Sequence, residues 1–196
     1  MSLAARYIGT WLRVSTAVDV TAIDQVVKVL GEARDRDATV WTVGNGGGSA
    51  LASHLAIGLT LNTSRAGGRP FRSTCLGADA AALSAASNDF GADHAMQALL
   101  ECNARSGDVI CAFSVSGEST NINNTLRSAK KLKITTIALV GESHSTTAQL
   151  ADYTILLQST EPGIAEDVAS AVMHAMYCSF MYENYDNLPE EFTHAT

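Results

Sequence analysis

The chain has 196 residues, 46% of them hydrophobic and 17% charged, which fits a single well-buried domain and excludes an intrinsically disordered segment. Its formal charge of −7 at pH 7 and pI near 5.1 argue against a large electrostatic footprint for DNA or an acidic membrane surface. A small anionic ligand stays open, because a few backbone amides and hydroxyls in one cleft are enough to hold it.

From the amino end, residues 4–36 read as one or two amphipathic helices. A first strand is expected at Thr39 to Val43, leaving through Gly44-Asn-Gly-Gly-Gly-Ser49 into a helix from about Ser49 to Thr60. The one loose stretch runs from Asn62 to Pro70. A second strand at Arg72 to Leu76 precedes helices at about Asp79 to Ser87 and Ala92 to Ala104. The third strand, Asp108 to Phe113, enters a serine-rich turn and a helix at Asn121 to Lys131. A fourth strand at Ile134 to Val140, a short helix at Thr146 to Leu150 and a fifth strand at Tyr153 to Gln158 follow. Pro162, at a first-turn position, opens a last helix from Gly163 to about Tyr185.

Strands alternating with helices predict an α/β domain with a mainly parallel five-stranded sheet, its core at about 38–160 and a carboxyl-terminal helix at about 162–185. That helix carries Val168, Ala169, Val172, Met173, Met176, Tyr177 and Phe180 at helical spacing, too much apolar surface for a solvated tail. It packs on its own sheet or in an oligomer interface. Cys75, Cys102, Cys111 and Cys178 form no Cys-x-x-Cys pair and read as free thiols of a reducing cytosol. No secretory signal or long apolar span is visible at either end, so a cytoplasmic protein without membrane contact is expected.

Two strand exits carry chemistry. Ser114, Ser116, Ser119 and Thr120 offer short hydroxyl donors around Gly117, at the start of a helix whose dipole and free N–H groups favour an anion. No lysine follows the glycine, so this is not a nucleotide P-loop. The plainer alternative is an N-cap turn in which Ser116 or Ser119 satisfies helix N–H groups and binds nothing. Gly46, Gly47 and Gly48 permit close backbone approach at a second helix start, or merely a tight turn. Their spacing is not that of a dinucleotide fingerprint, and no acidic residue ends the second strand, which disfavours NAD. In an open parallel sheet ligands bind beyond the carboxyl ends of the strands, where both segments would lie.

Taken together, Gly44-Asn-Gly-Gly, the helix with His54, Ser87-Asn-Asp-Phe-Gly91 and Ser114-Val-Ser-Gly-Glu-Ser119 resemble the sugar isomerase (SIS) domain family, and within it the phosphoheptose isomerases. The resemblance covers nearly the whole chain. It implies a single SIS domain over 1–196: a three-layer αβα sandwich, flavodoxin-like, with a five-stranded parallel sheet and added terminal helices. It implies a sugar phosphate as ligand, interconverted between aldose and ketose, and a homotetramer with sites built from more than one subunit. It casts Ser114, Ser116 and Ser119 as phosphate-binding serines, Asn45, Gly46 and Ser49 as substrate loop, Asn88 and Asp89 as sugar-side residues, and His54 and His174 as the two helix histidines.

The departures are specific. Where the family has a glutamate four residues after the first histidine, this chain has Gly58, and Glu166 stands where glutamine is usual. The glycine loop carries one residue more than the family's, leaving Ser49 slightly out of register, and Val115 replaces a threonine. Isomerisation through an enediol needs a base at carbon, an acid at the neighbouring oxygen and stabilisation of the enediolate, none of which Gly58 supplies. Glu166 is therefore expected as the base, His174 as the acid or polarising group and Asp89 as a positioning carboxylate. No cofactor is required, although His54, Glu166 and His174 make a two-histidine, one-carboxylate set of the kind zinc accepts. Two other readings compete: a non-catalytic SIS protein of the type that associates with the replication initiator, and a sugar-phosphate-sensing domain detached from a DNA-binding partner. No direct nucleic-acid contact is expected, since the chain is acidic and has no helix-turn-helix segment.

Overall fold

In the computed structural model, residues 1–183 and 188–193 are described. Two helices, α1 (Leu3–Ser15) and α2 (Val20–Asp35), lead into β1 (Thr39–Gly44). Helix α3 (Gly46–Ile57) continues through a π-helical turn, Gly58–Asn62, into the short α4 (Thr63–Arg65) and β2 (Arg72–Cys75). Then come α5 (Ala80–Phe90), α6 (Ala95–Asn103), β3 (Val109–Ser114), α7 (Thr120–Lys131), β4 (Thr135–Val140), α8 (Thr146–Leu150), β5 (Tyr153–Leu156), α9 (Pro162–Met181) and α10 (Glu190–Thr193). All strand pairs are parallel, in the order β2-β1-β3-β4-β5. This is the doubly wound flavodoxin-like arrangement expected from the sequence, with its switch point between β1 and β3.

Alternation along the strands builds the three layers. Val40 of β1 and Val109, Cys111 and Phe113 of β3 face one side, where α2, α3 and α9 bury Leu30, Leu55, Met173 and Met176 completely. Trp41, Val43, Ile110 and Ala112 face the other, under Leu100 of α6 and Ile122 and Leu126 of α7. The last helix is thus packed against its own sheet, and Glu161 caps it by accepting the Ile164 N–H at 2.7 Å. Its expected end near Tyr185 lies outside the described residues, as does His194.

Three boundaries differ from the sequence expectation in ways that bear on the site. Gly46 to Gly48 are not a loop but the first turn of α3, since Gly46 takes φ +51° and the chain turns directly into the helix. Helix α5 runs on through Asn88 and Asp89 to Phe90 and stops at Gly91, whose φ of +80° ends the run. The start of the supposedly loose Asn62 to Pro70 stretch is helical, because the π turn and α4 extend α3 beneath α9. No helix among the described residues is long and apolar enough to cross a membrane.

Candidate active site

Because β1 and β3 are neighbours, their two exits meet. Asn45, Gly48, Ser114, Ser116, Ser119 and Glu166 line one cavity of about 250 Å³ at the carboxyl edge of the sheet. Asn45 is locked there by a reciprocal amide pair with Asn121 of α7, at 2.9 and 2.8 Å. Glu166 reaches the cavity from the first turns of α9, across the glycine turn. Any Cβ at Gly47 would lie 2.3 to 2.4 Å from its carboxylate, so the absence of a side chain at 47 is what lets Glu166 in.

The serine turn is held from behind and left free in front. Gly117 takes φ +67°, its N–H bonds to Ser114 O at 3.0 Å, and its carbonyl accepts both the N–H and hydroxyl of Thr147 at 2.9 and 2.8 Å. Glu118 accepts from the Thr146 amide and hydroxyl, each at 2.7 Å, and those bonds hold its carboxyl below the usual range. On the open side, Ser119 is the N-cap residue of α7 but makes no capping bond with its side chain. The N-cap alternative therefore fails for Ser119, while Ser116 does accept the Glu118 N–H at 3.3 Å. Ser114 is 7% exposed and its buried hydroxyl has no hydrogen-bond partner among the described residues. A buried orphan hydroxyl costs about 1–3 kcal/mol unless something binds it.

Among the described residues no lysine or arginine lines this cavity. An anion would be held by hydroxyls and by the amino end of α7, as a neutral cradle does. Glu166 shares this small space with the three serines.

Other candidates are placed elsewhere. Ser49 is half-buried in the first turn of α3 and is not part of the cavity wall, where Gly48 stands instead; Gly46 precedes it, also off the wall. Asn88 and Asp89 sit exposed at the end of α5, hydrogen-bonded to each other at 2.9 Å and away from the cavity. His54 and His174 do meet, edge to face, with ring centroids 4.9 Å apart. Burial and the neighbouring His174 push the His54 pKa below its usual value. His174 follows Glu166 by eight residues, about 12 Å along the helix axis at 1.5 Å per residue.

The proposed zinc set is therefore not gathered. Glu166 faces the serine cavity while the histidines face Tyr177, and no group of three His, Cys, Asp or Glu among the described residues is placed to hold a metal. Nor is there room for a glutamate at 58: a Cβ there would lie 2.3 Å from Tyr177 Cδ1. Sequence reasoning treated Tyr177 as core because it falls on the apolar spacing of α9. It also passed over Asn121, whose only signal was its place in the polar first turn after the serines.

Fold and cavity together define a doubly wound α/β protein with a hydroxyl-lined cavity at its switch point. The pattern of the SIS domain family matches residues 6–141, and the chain belongs to that family. It is 34% identical over 143 residues to the phosphoheptose isomerase of Chlorobaculum parvum, covering 72% of this chain and 68% of that protein. To the phosphoheptose isomerase of Sulfurimonas denitrificans it is 37% identical over 150 residues, 75% of either chain. The structure of phosphoheptose isomerase GmhA from Neisseria gonorrhoeae shares the fold, with a TM-score of 0.81 over 90% of this chain and 96% of that one at 24% identity.

Proposed function

We propose that the chain is a sugar-phosphate isomerase that interconverts an aldose and a ketose, with sedoheptulose 7-phosphate as the ketose substrate. The observation that carries this reading is the single cavity shared by three serine hydroxyls and the Glu166 carboxylate. The relatives named above as phosphoheptose isomerases support it.

The serines and the start of α7 take the phosphate, which supplies binding energy remote from the reaction. In an open-chain seven-carbon sugar the reacting carbons stand at the opposite end from the phosphate. Glu166, which lines the serine cavity from α9, takes the proton from the carbon next to the carbonyl and returns it to the neighbouring carbon when the sugar chain curls its reacting end back over the cavity. The hydroxyl proton moves between the two oxygens with His174, further along the same helix, as acid or polarising group. Asp89, exposed at the end of α5, would act only on a sugar that extends out of the cavity. The non-catalytic alternative is not favoured, since a scaffold has no use for a carboxylate aimed into a phosphate cradle.

The site of one protomer is incomplete. Its 250 Å³ is below the roughly 300–1,000 Å³ of cavities that enclose a small ligand. Nearby, Ile57 and Leu61 are 50% and 57% exposed beside the histidine pair, and Leu3, Ile8 and Leu12 of α1 are more than half exposed. Such apolar surface supports a homotetramer whose subunits close each other's sites. Light scattering on the purified protein is expected to give four times 20.6 kDa, and a stable monomer with full turnover would end that part of the reading.

Incubation with sedoheptulose 7-phosphate is expected to yield an aldose heptose 7-phosphate, followed by trapping the aldehyde. Binding of the sugar phosphate without any aldose would replace the isomerase with the non-catalytic reading.

A further inference from the structure

We infer that Tyr177 is a positioning residue of the histidine pair, seated in the room that Gly58 leaves open and orienting His54 and His174 for the isomerase chemistry. This rests on the reading above for its consequence, though not for its geometry.

Tyr177 is 5% exposed and stands three residues after His174, on the same face of α9. Its ring centroid lies 5.2 Å from that of His174 and 6.2 Å from that of His54. The ring occupies the place of a side chain at 58: an added Cβ would meet its Cδ1, Cγ and Cε1 at 2.3, 2.6 and 2.7 Å. Those are ring atoms close to the backbone of α9, which cannot swing aside as a flexible side-chain end would.

The backbone around Gly58 is shaped to the same purpose. Gly58 opens the π turn, and the hydroxyl of Thr63 closes it by donating to Gly58 O at 3.0 Å. A π turn in an otherwise α-helical run is a costly local feature that recurs at functional sites. Burial pushes the Tyr177 hydroxyl pKa up, as expected for a ring packed into this turn. The tyrosine is thus seated on the start of the turn, its ring against Gly58.

The two histidines need this support to different degrees. His174 Nδ1 donates to the Ser170 carbonyl at 2.6 Å, which fixes the orientation of its ring. His54 has no hydrogen bond among the described residues, and the rings of His174 and Tyr177 pack beside it. Displacing an acid or polarising group by about 1 Å can cost on the order of a hundredfold in rate.

Four variants test the inference: Tyr177→Leu, Tyr177→Phe, Gly58→Ala and the pair Gly58→Ala with Tyr177→Leu. Tyr177→Leu is expected to lower kcat by about tenfold to a hundredfold with KM for sedoheptulose 7-phosphate nearly unchanged, because the serine cradle is untouched. Tyr177→Phe keeps the ring and is expected to restore most of the turnover. Gly58→Ala pushes the ring aside from the opposite helix and is expected to reproduce the Leu defect, even if Tyr177→Leu itself does not fold. The double variant is expected to be no worse than either single one, since both act on one contact.

Crystal structures of the same proteins read the geometry without any turnover. The edge-to-face pair at 4.9 Å is expected in wild type and Tyr177→Phe, and lost in Tyr177→Leu or Gly58→Ala. Retention of that pair in a folded Tyr177→Leu or Gly58→Ala protein would overturn the inference, whether or not the wild type turns over. Absence of turnover by wild type with the pair displaced in the variants would overturn the isomerase reading alone.

Discussion

Glu166→Gln is expected to lower isomerase turnover by roughly 10²–10⁴-fold, the usual contribution of a positioned general base. The amide keeps the size and shape of the side chain, so it still fits over Gly47 and still lines the serine cavity. What it loses is the ability to take a proton from carbon. KM for the sugar phosphate should stay the same or fall slightly, since the substitution removes a negative charge near the phosphate without touching a hydroxyl of the cradle. Steady-state kinetics of Glu166→Gln with sedoheptulose 7-phosphate check both numbers. Full turnover in the variant would remove Glu166 from the chemistry and leave the cavity as a binding site only.

Gly117→Ala is expected to raise KM for the sugar phosphate strongly and to destabilise the fold by about 1–3 kcal/mol, the cost of a non-glycine residue held at positive φ. Two separate effects combine here. The backbone at 117 has φ +67°, and an added Cβ would lie 2.2 Å from Ser145 Oγ and 2.3 Å from Ser145 Cβ. Ser145 cannot withdraw cheaply, because it caps α8 and its hydroxyl donates to Glu142 O at 2.7 Å. The turn must therefore shift, and with it the Gly117 carbonyl that Thr147 holds with two hydrogen bonds. Urea unfolding and the KM of the variant measure the two effects. A variant with wild-type KM would show that the turn does not grip the phosphate.

The contrast between these positions shows which signals the sequence carried. Gly117 was legible because a glycine among serines at a strand exit is a local pattern, and the need for positive φ is a local property. The strands were legible for a similar reason: Thr39 to Val43, Asp108 to Phe113 and Ile134 to Val140 are short apolar runs bounded by turn residues, within a residue of where the structure has them. Helix ends were less so. Asn88 and Asp89 belong to α5 rather than to a loop, because the residue that stops the helix is Gly91, not the polar pair before it.

The zinc set shows the opposite case. His54, Glu166 and His174 are chemically sound ligands, and helical periodicity alone permits Glu166 and His174 on one broad face. It does not say which way each side chain turns. Gly47 gives Glu166 an opening towards the serines, while Tyr177 receives the two imidazoles.

By itself, then, the sequence determined the parallel α/β architecture, the hydroxyl cradle, the absence of a glutamate at 58 and the family. These follow from patterns within a dozen residues or from motifs in fixed order, where local backbone physics is decisive. Tertiary structure alone decided that the glycine and serine turns share one cavity, that Glu166 joins them while the histidines do not, and that Tyr177 fills the space over Gly58. Those outcomes depend on strand order and on side-chain volume across facing helices, which bring together residues far apart in the chain and leave no trace in local spacing.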